Sequence, residues 1–284
     1  MSTADLIKAL TCNFDTLQRR KLAPVDVAIL DSGVDATHAD LAGREISTYR
    51  VEAAEGAPPS VTRIAERINN DTYGHGTAVA SIIAKIAPNA RFIDLRVLDP
   101  KNAGTGDALV AALDTVLANK WRVINMSLAA SAAVGRRLAP LCERAYFQNQ
   151  IIVAAQRNFP IEDNGFPAEF SSSIGVDFEA FKSPFELHYR GGRPIEYIAP
   201  GDQVTVAAPG GGYTVMTGTS FATPAVAGLC ALLLGAYRGL HPFELKTVLK
   251  AHASRVNEPR SPRAKEKSGP HRSGKTKSRK TGRK

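Results

Sequence analysis

The sequence predicts an α/β fold: a mostly parallel central sheet with helices on both faces. Strand-like apolar runs alternate with helix-like stretches, as βαβ units require. The 284 residues are 44% hydrophobic, enough to bury the core of one large domain. The apolar runs also stop at turns that carry polar, chemically capable residues. No internal repeat is visible.

The first run, 25–30, reads VDVAIL and stops at Asp31-Ser32-Gly33-Val34-Asp35. That pattern is a buried strand ending in a turn. Asp31 then lies at the strand's carboxyl end, where open α/β sheets place ligands and catalytic groups. An Asp there also serves as a plain cap. Next comes Asn70-Asp71-Thr72-Tyr73-Gly74-His75-Gly76-Thr77-Ala78-Val79-Ala80. Glycines on both sides let backbone approach His75, and the small residues that follow suit a packed helix. Further on, 91–98 reads as a strand, 107–118 as a helix, 122–126 as a strand and 134–149 as a helix. The run 151–155, IIVAA, is another buried strand, with Asn158 three residues beyond it. Two helices close the pattern, 220–237 and 241–253, joined at Gly239.

The last motif is Gly218-Thr219-Ser220-Phe221-Ala222-Thr223-Pro224, leading into VAGLCALLLGA. It puts a hydroxyl at a helix N-terminus, where backbone N–H groups are unpaired and the dipole favours negative charge. A serine that attacks a carbonyl needs such a place, because its transition state carries an oxyanion. The stretch resembles the nucleophile motif of subtilisin-like serine proteases, GTSMATPHVAG. The Asp31 and His75 segments resemble the same family. Their chain order, Asp then His then Ser at 31, 75 and 220, is that of subtilisin and not of chymotrypsin or the α/β-hydrolases.

The resemblance implies a subtilisin-like fold and a serine endopeptidase with Asp31, His75 and Ser220 as its triad. It runs from about Val25 to Leu249. It implies that the Asn158 amide and the Ser220 N–H hold the oxyanion, although Gln156-Arg157-Asn158 stands where the family has Ala-Gly-Asn. Val123-Ile124-Asn125-Met126-Ser127-Leu128 resembles the family's INMSLGG strand, with Ala129 and Ala130 in place of two glycines. Gly104-Thr105-Gly106 matches the opposing Gly-Ser-Gly segment. A substrate polypeptide lies extended between those segments in the family. Ala155, Gln156 and Arg157 face Leu128 and Ala129 across the pocket for the P1 side chain. Arg157 then either points inward and selects an acidic P1 residue, or runs along the rim to solvent, or distorts a turn where glycine is usual. Phe166-Pro167-Ala168 and Ala199-Pro200-Gly201 resemble family turns. Sedolisins are excluded, since they use Glu where this chain has His75.

No cofactor and no metal is expected. No Cys/His cluster has zinc spacing. Many subtilisins interrupt the helix after the catalytic His with a calcium loop. Here Ala80-Ser81-Ile82-Ile83-Ala84-Lys85-Ile86-Ala87-Pro88 runs straight on. Asp40 matches a carboxylate that serves the calcium site in relatives, and without partners it reads as a solvated turn residue.

Three segments are expected: an N-terminal extension, 1–22, a subtilisin-like peptidase domain, 23–254, and a disordered basic tail, 255–284. The tail holds twelve Lys or Arg against two Glu, in a chain of net charge +9. Such an arm binds polyanions, nucleic acid or an anionic surface, or merely solubilises. It has no aromatic residue for base stacking. No apolar run of 18 residues, and hence no transmembrane helix, is expected. The N-terminus lacks a signal-peptide pattern and is too short for a folded inhibitory prodomain. The three cysteines suggest no disulfide framework. Together these point to the cytoplasm. Two rival readings stay open: a catalytically impaired subtilisin fold used as a binding module, and a nucleic-acid-associated protein acting through its tail.

Overall fold

Both faces of the central strand are buried, which is why its sequence is a near-continuous apolar run. The computed structural model describes residues 2–52, 58–66, 68–158 and 163–255. The strands are β1 (Val25–Asp31), β2 (Ile46–Glu52), β3 (Ser60–Ile64), β4 (Ala90–Arg96), β5 (Val123–Met126), β6 (Ile151–Ala155), β7 (Ile174–Glu179), β8 (His188–Tyr189), β9 (Tyr197–Pro200), β10 (Val204–Ala207), β11 (Tyr213–Met216) and β12 (Ser254–Arg255). The helices are α1 (Thr3–Leu10), α2 (Phe14–Gln18), α3 (His75–Ile86), α4 (Gly106–Ala118), α5 (Ala132–Phe147), α6 (Thr219–Ala236) and α7 (Pro242–His252).

Ten strands form one sheet in the order β12-β8-β9-β7-β6-β5-β1-β4-β2-β3. From β9 through β2 every neighbouring pair is parallel; β3 and β8 join antiparallel. β10 and β11 form a separate antiparallel pair. Alternation along β1 assigns the two layers. Val27 and Ile29 pack with α3 and α6 side chains such as Val79, Ile83, Val226 and Leu229. Ala28 and Leu30 pack on the other face with Leu113, Val116 and Leu138 of α4 and α5. The mostly parallel α/β architecture with helices on both faces is the expected one.

The chain crosses from β4 to β5 over β1, so β1 has β4 on one side and β5 on the other. Its carboxyl end is a switch point, the crevice where such sheets bind ligands. Asp31 is the last residue of β1.

Helix α6 corrects the expectation about apolar length. Thr219–Ala236 is 18 residues long and apolar enough to cross a membrane by composition, but 89% of it is buried inside the fold. It is the central core helix. The first two helices also join this layer: Ala9, Phe14 and Leu17 are buried, and Gln18 Nε2 donates to the carbonyls of Lys85 (2.6 Å) and Ile86 (3.1 Å) at the end of α3. β2, β3, β7 to β12, α1 and α2 go beyond the predicted elements. Several are edge strands of two to five residues, whose pairing comes from a neighbour and not from their own periodicity. The predicted basic tail lies outside the described residues, apart from Arg255 in β12.

Candidate active site

Two turns meet at the end of β1. Gly33 (φ 104°) packs against the backbone of Asn70, and Gly76 packs against the Gly33 carbonyl. A Cβ at either glycine would run into that backbone. This contact brings the Asp31 turn against the first turn of α3. Asp31 is 1% exposed, and its Oδ1 accepts from the Ser32 N–H and from His75 Nδ1, each at 2.7 Å.

His75 is the first residue of α3, and the Phe221 ring of α6 lies 5.5 Å from its ring. Burial pulls the imidazole pKa down. The charge and hydrogen bond of Asp31, with the charge of Asp71, outweigh burial and hold it above the ordinary value of 6.5.

Ser220 stands in the first turn of α6, after Gly218 at φ 149°. Its hydroxyl donates to the Ser127 carbonyl at 3.2 Å; among the described residues it makes no hydrogen bond to His75. Asn158 is exposed beside it. The Thr219 hydroxyl has two acceptors, the Gln156 carbonyl at 2.8 Å and Asn158 Oδ1 at 3.2 Å. Asn158 lines the pocket that adjoins Ser220.

His75 and Ser220 line one cleft of about 420 Å³ with Gly104, Thr105 and Gly106 on one wall and Ser127, Leu128, Ala129 and Ala130 on the other. Thr105 also caps α4, its hydroxyl accepting from the Ala108 N–H at 3.1 Å. A second pocket of about 290 Å³ adjoins at Ser220. Leu128, Ala129, Ala155, Gln156, Arg157, Asn158 and Thr219 line it. A larger cleft of about 690 Å³ lies between α5, α7 and β8–β9. It contains none of these residues.

Arg157 takes none of the three expected courses. Its backbone is not left-handed. Its guanidinium is held inside the rim, with Nε donating to Asp163 Oδ1 at 2.8 Å and a terminal nitrogen donating to the Ala130 carbonyl at 2.6 Å. The side chain is 16% exposed. It therefore ties one wall of the pocket to the other, with its charge neutralised.

Asp40 also differs from expectation. Its side chain is 11% exposed and pairs with Lys85 Nζ at 3.0 Å, and Tyr213 OH donates to it at 2.6 Å. α3 runs unbroken from His75 to Ile86. An ammonium from α3 thus sits on the carboxylate. Among the described residues no group of His, Cys, Asp or Glu is arranged to hold a metal ion. All three cysteines are free thiols. Burial pushes Cys12 up to about 11 and Cys142 up to about 12, so neither is a thiolate at neutral pH.

Several participants were not singled out in the sequence: Asp71, Asn125, Thr219 and Asp163. Thr219 meets Gln156 and Asn158, and Asp71 meets Ser32, only through the fold. The other partners of Asp71, and those of Asn125 and Asp163, lie within six residues.

The subtilase family model matches residues 24–274. The chain belongs to the subtilase family. As a subtilase it is a serine-type endopeptidase. It is 31% identical over 257 residues to subtilisin DY of Bacillus licheniformis, covering 85% of this chain and 88% of that one. To subtilisin E of Bacillus subtilis it is 30% identical over 223 residues, 74% of this chain, and spans about half that relative's length (55%). A solved cold-adapted subtilisin-like serine proteinase superposes with a TM-score of 0.61 at 27% identity, covering 82% of this subtilase and 83% of that chain.

Proposed function

We propose that this subtilase cleaves polypeptides through Asp31, His75 and Ser220. The observation that carries the reading is the 2.7 Å Asp31–His75 pair opening onto the same cleft as Ser220. His75 Nδ1 is committed to Asp31, so Nε2 is the nitrogen that accepts the Ser220 proton. Ser220 Oγ then attacks the carbonyl, and the Ser220 N–H and Asn158 Nδ2 hold the oxyanion. The imidazolium, favoured by Asp31, protonates the leaving amine, and water resolves the acyl-enzyme. A serine-reactive fluorophosphonate should label the wild type and not Ser220→Ala. No labelling of the wild type would favour a catalytically impaired binding module.

The substrate lies extended between 104–106 and 127–130, with its P1 side chain in the 290 Å³ pocket. The charge of residues 255–284 supports a second, separate reading, polyanion binding at the tail. Heparin affinity that is salt-dependent and lost without 256–284 tests it. The three free thiols suit a reducing compartment such as the cytoplasm.

A further inference from the structure

We propose that Asp71 is a positioning residue for the reaction: its carboxylate fastens the turn after Asp31 to the first turn of α3 and so fixes the Asp31–His75 pair. The proposal rests on the triad reading above.

One carboxylate gathers five donors. Oδ1 accepts from the Ser32 hydroxyl (2.8 Å), the Tyr73 N–H (2.9 Å) and the Gly74 N–H (2.7 Å). Oδ2 accepts from the Thr77 N–H (2.9 Å) and the Thr77 hydroxyl (2.5 Å). The Ser32 oxygen in turn accepts from the Gly76 N–H at 3.0 Å. Backbone on both sides of His75, at 73, 74, 76 and 77, is therefore held directly or through Ser32 by this one group. Hydrogen bonds to an ionised acceptor are about twice as strong as neutral ones.

A cap alone would explain the bonds to α3, since a carboxylate is stabilising at a helix N-terminus. It does not explain the bond to Ser32. Ser32 follows Asp31 directly, and its N–H donates to the same Asp31 oxygen that holds His75. Asp71 thus couples the two members of the pair across the turn contact. It also supplies charge. The charged groups facing His75 are Asp31 from β1 and Asp71 from the loop before α3; α6 offers Ser220 and Phe221, which carry none. Behind Asp71, Asn70 Nδ2 donates to the buried Asp94 of β4 at 2.9 Å, and Arg96 lies beyond.

The test compares Asp71→Asn and Ser32→Ala with the wild type, measuring kcat, KM, the pH profile of kcat/KM and the melting temperature. Asp71→Asn should lower kcat roughly ten- to hundred-fold, the scale of a misplaced catalytic group, with little change in KM. Removing a negative charge near His75 lowers the imidazole pKa, so the acid limb should move to lower pH. Ser32→Ala keeps the charge and the Asp71 bonds to 73, 74 and 77 but leaves the buried Gly76 N–H without its acceptor. It should lower kcat with the limb in place and the melting temperature reduced by a few degrees, the scale of one unpaired buried donor. An unmoved limb in Asp71→Asn, or wild-type kcat in Ser32→Ala, overturns the proposal. If Asp71→Asn fails to fold, Ser32→Ala decides alone. Failure of the triad reading itself would appear separately, as fluorophosphonate labelling that survives Ser220→Ala.

Discussion

Ser220 and Ser127 bind each other reciprocally: the Ser220 hydroxyl donates to the Ser127 carbonyl at 3.2 Å, and the Ser127 hydroxyl donates to the Ser220 carbonyl at 2.9 Å. Asn125 Nδ2 supports the second bond, donating to Ser127 Oγ at 3.0 Å. The backbone of Ser220 is therefore pinned to the end of β5, the strand that also forms a wall of the cleft. Its hydroxyl is held by one longer bond, and in the proposed mechanism it turns from Ser127 to His75. Under that mechanism, the pinned backbone would keep the Ser220 N–H in place for the oxyanion while the oxygen changes partner.

Ser220→Ala should abolish fluorophosphonate labelling and lower kcat about a millionfold, the scale of the same loss in subtilisin itself. Asn158→Ala should cost about a hundred- to thousand-fold in kcat with KM little changed, again the scale of the subtilisin case. Steady-state kinetics on one peptide substrate checks both. Equal losses in kcat and in binding would point to a collapsed cleft and not to a missing oxyanion donor.

The neighbourhoods of Asp31, His75 and Ser220 were legible in sequence because their chemistry is local. A strand end, a glycine-flanked histidine and a helix start each need particular residues side by side. The central strands were legible for a related reason: burial on both faces leaves an unbroken apolar run. Asp71 was not legible as an organiser, because the donor that links it to the Asp31 turn, the Ser32 hydroxyl, meets it only after two turns pack, while its donors at 73, 74 and 77 form a local cap. Arg157 was misread because its acceptors, Asp163 and the Ala130 carbonyl, depend on how two loops face each other. Lys85 reads as an ordinary surface residue on α3 until Asp40 and Tyr213 are brought to it by the fold.

The Arg157–Asp163 pair sets an expectation for P1 selectivity. With its guanidinium neutralised, the wild type should show no preference for acidic P1 residues. Asp163→Asn leaves the shape and removes the counter-charge. Cleavage after Glu, relative to Ala, should then rise about tenfold, the lower end of what a charge-assisted hydrogen bond supplies. Profiling a P1 peptide library on both enzymes reads this directly. An identical profile would mean that Arg157 has no access to the P1 side chain.

Lys85 sets an expectation for metal removal. Its ammonium holds Asp40 at 3.0 Å, reaches the Thr205 carbonyl at 3.4 Å and stands 5.1 Å from the Tyr213 ring. It so ties α3 to the β10–β11 hairpin that leads into Ser220. EDTA should leave the melting temperature unchanged, since ligand binding stabilises only where a site exists. Lys85→Met should lower it slightly, because the Lys85 side chain is 45% exposed and such pairs contribute about 1 kcal/mol or less. A fall of several degrees on adding EDTA would reveal a calcium site elsewhere in the chain.

The buried carboxyl of Asp94 should make stability depend on pH. It lies wholly inside β4, and Oδ1 has no hydrogen-bond partner among the described residues. Burial pushes its pKa up to about 8; the hydrogen bonds from Asn70 and the Val34 backbone pull it down, and the charge of Asp71 adds to the rise. In the unfolded chain an Asp titrates at about 3.9. Between those values the folded state holds a proton that the unfolded state releases. Its contribution is therefore complete below about pH 4 and is lost as pH rises through about 8. Asp94→Asn has no such proton, and its amide mimics the neutral acid. The melting temperature of the wild type should fall relative to Asp94→Asn steadily from about pH 4 to about pH 8, with the gap levelling off above that. Because Asp94 holds Asn70, which precedes Asp71, loss of kcat should accompany that fall in the wild type at alkaline pH and be smaller in the variant. Parallel melting curves across the whole range would show that Asp94 is ionised in the fold and solvated in a way its burial does not suggest.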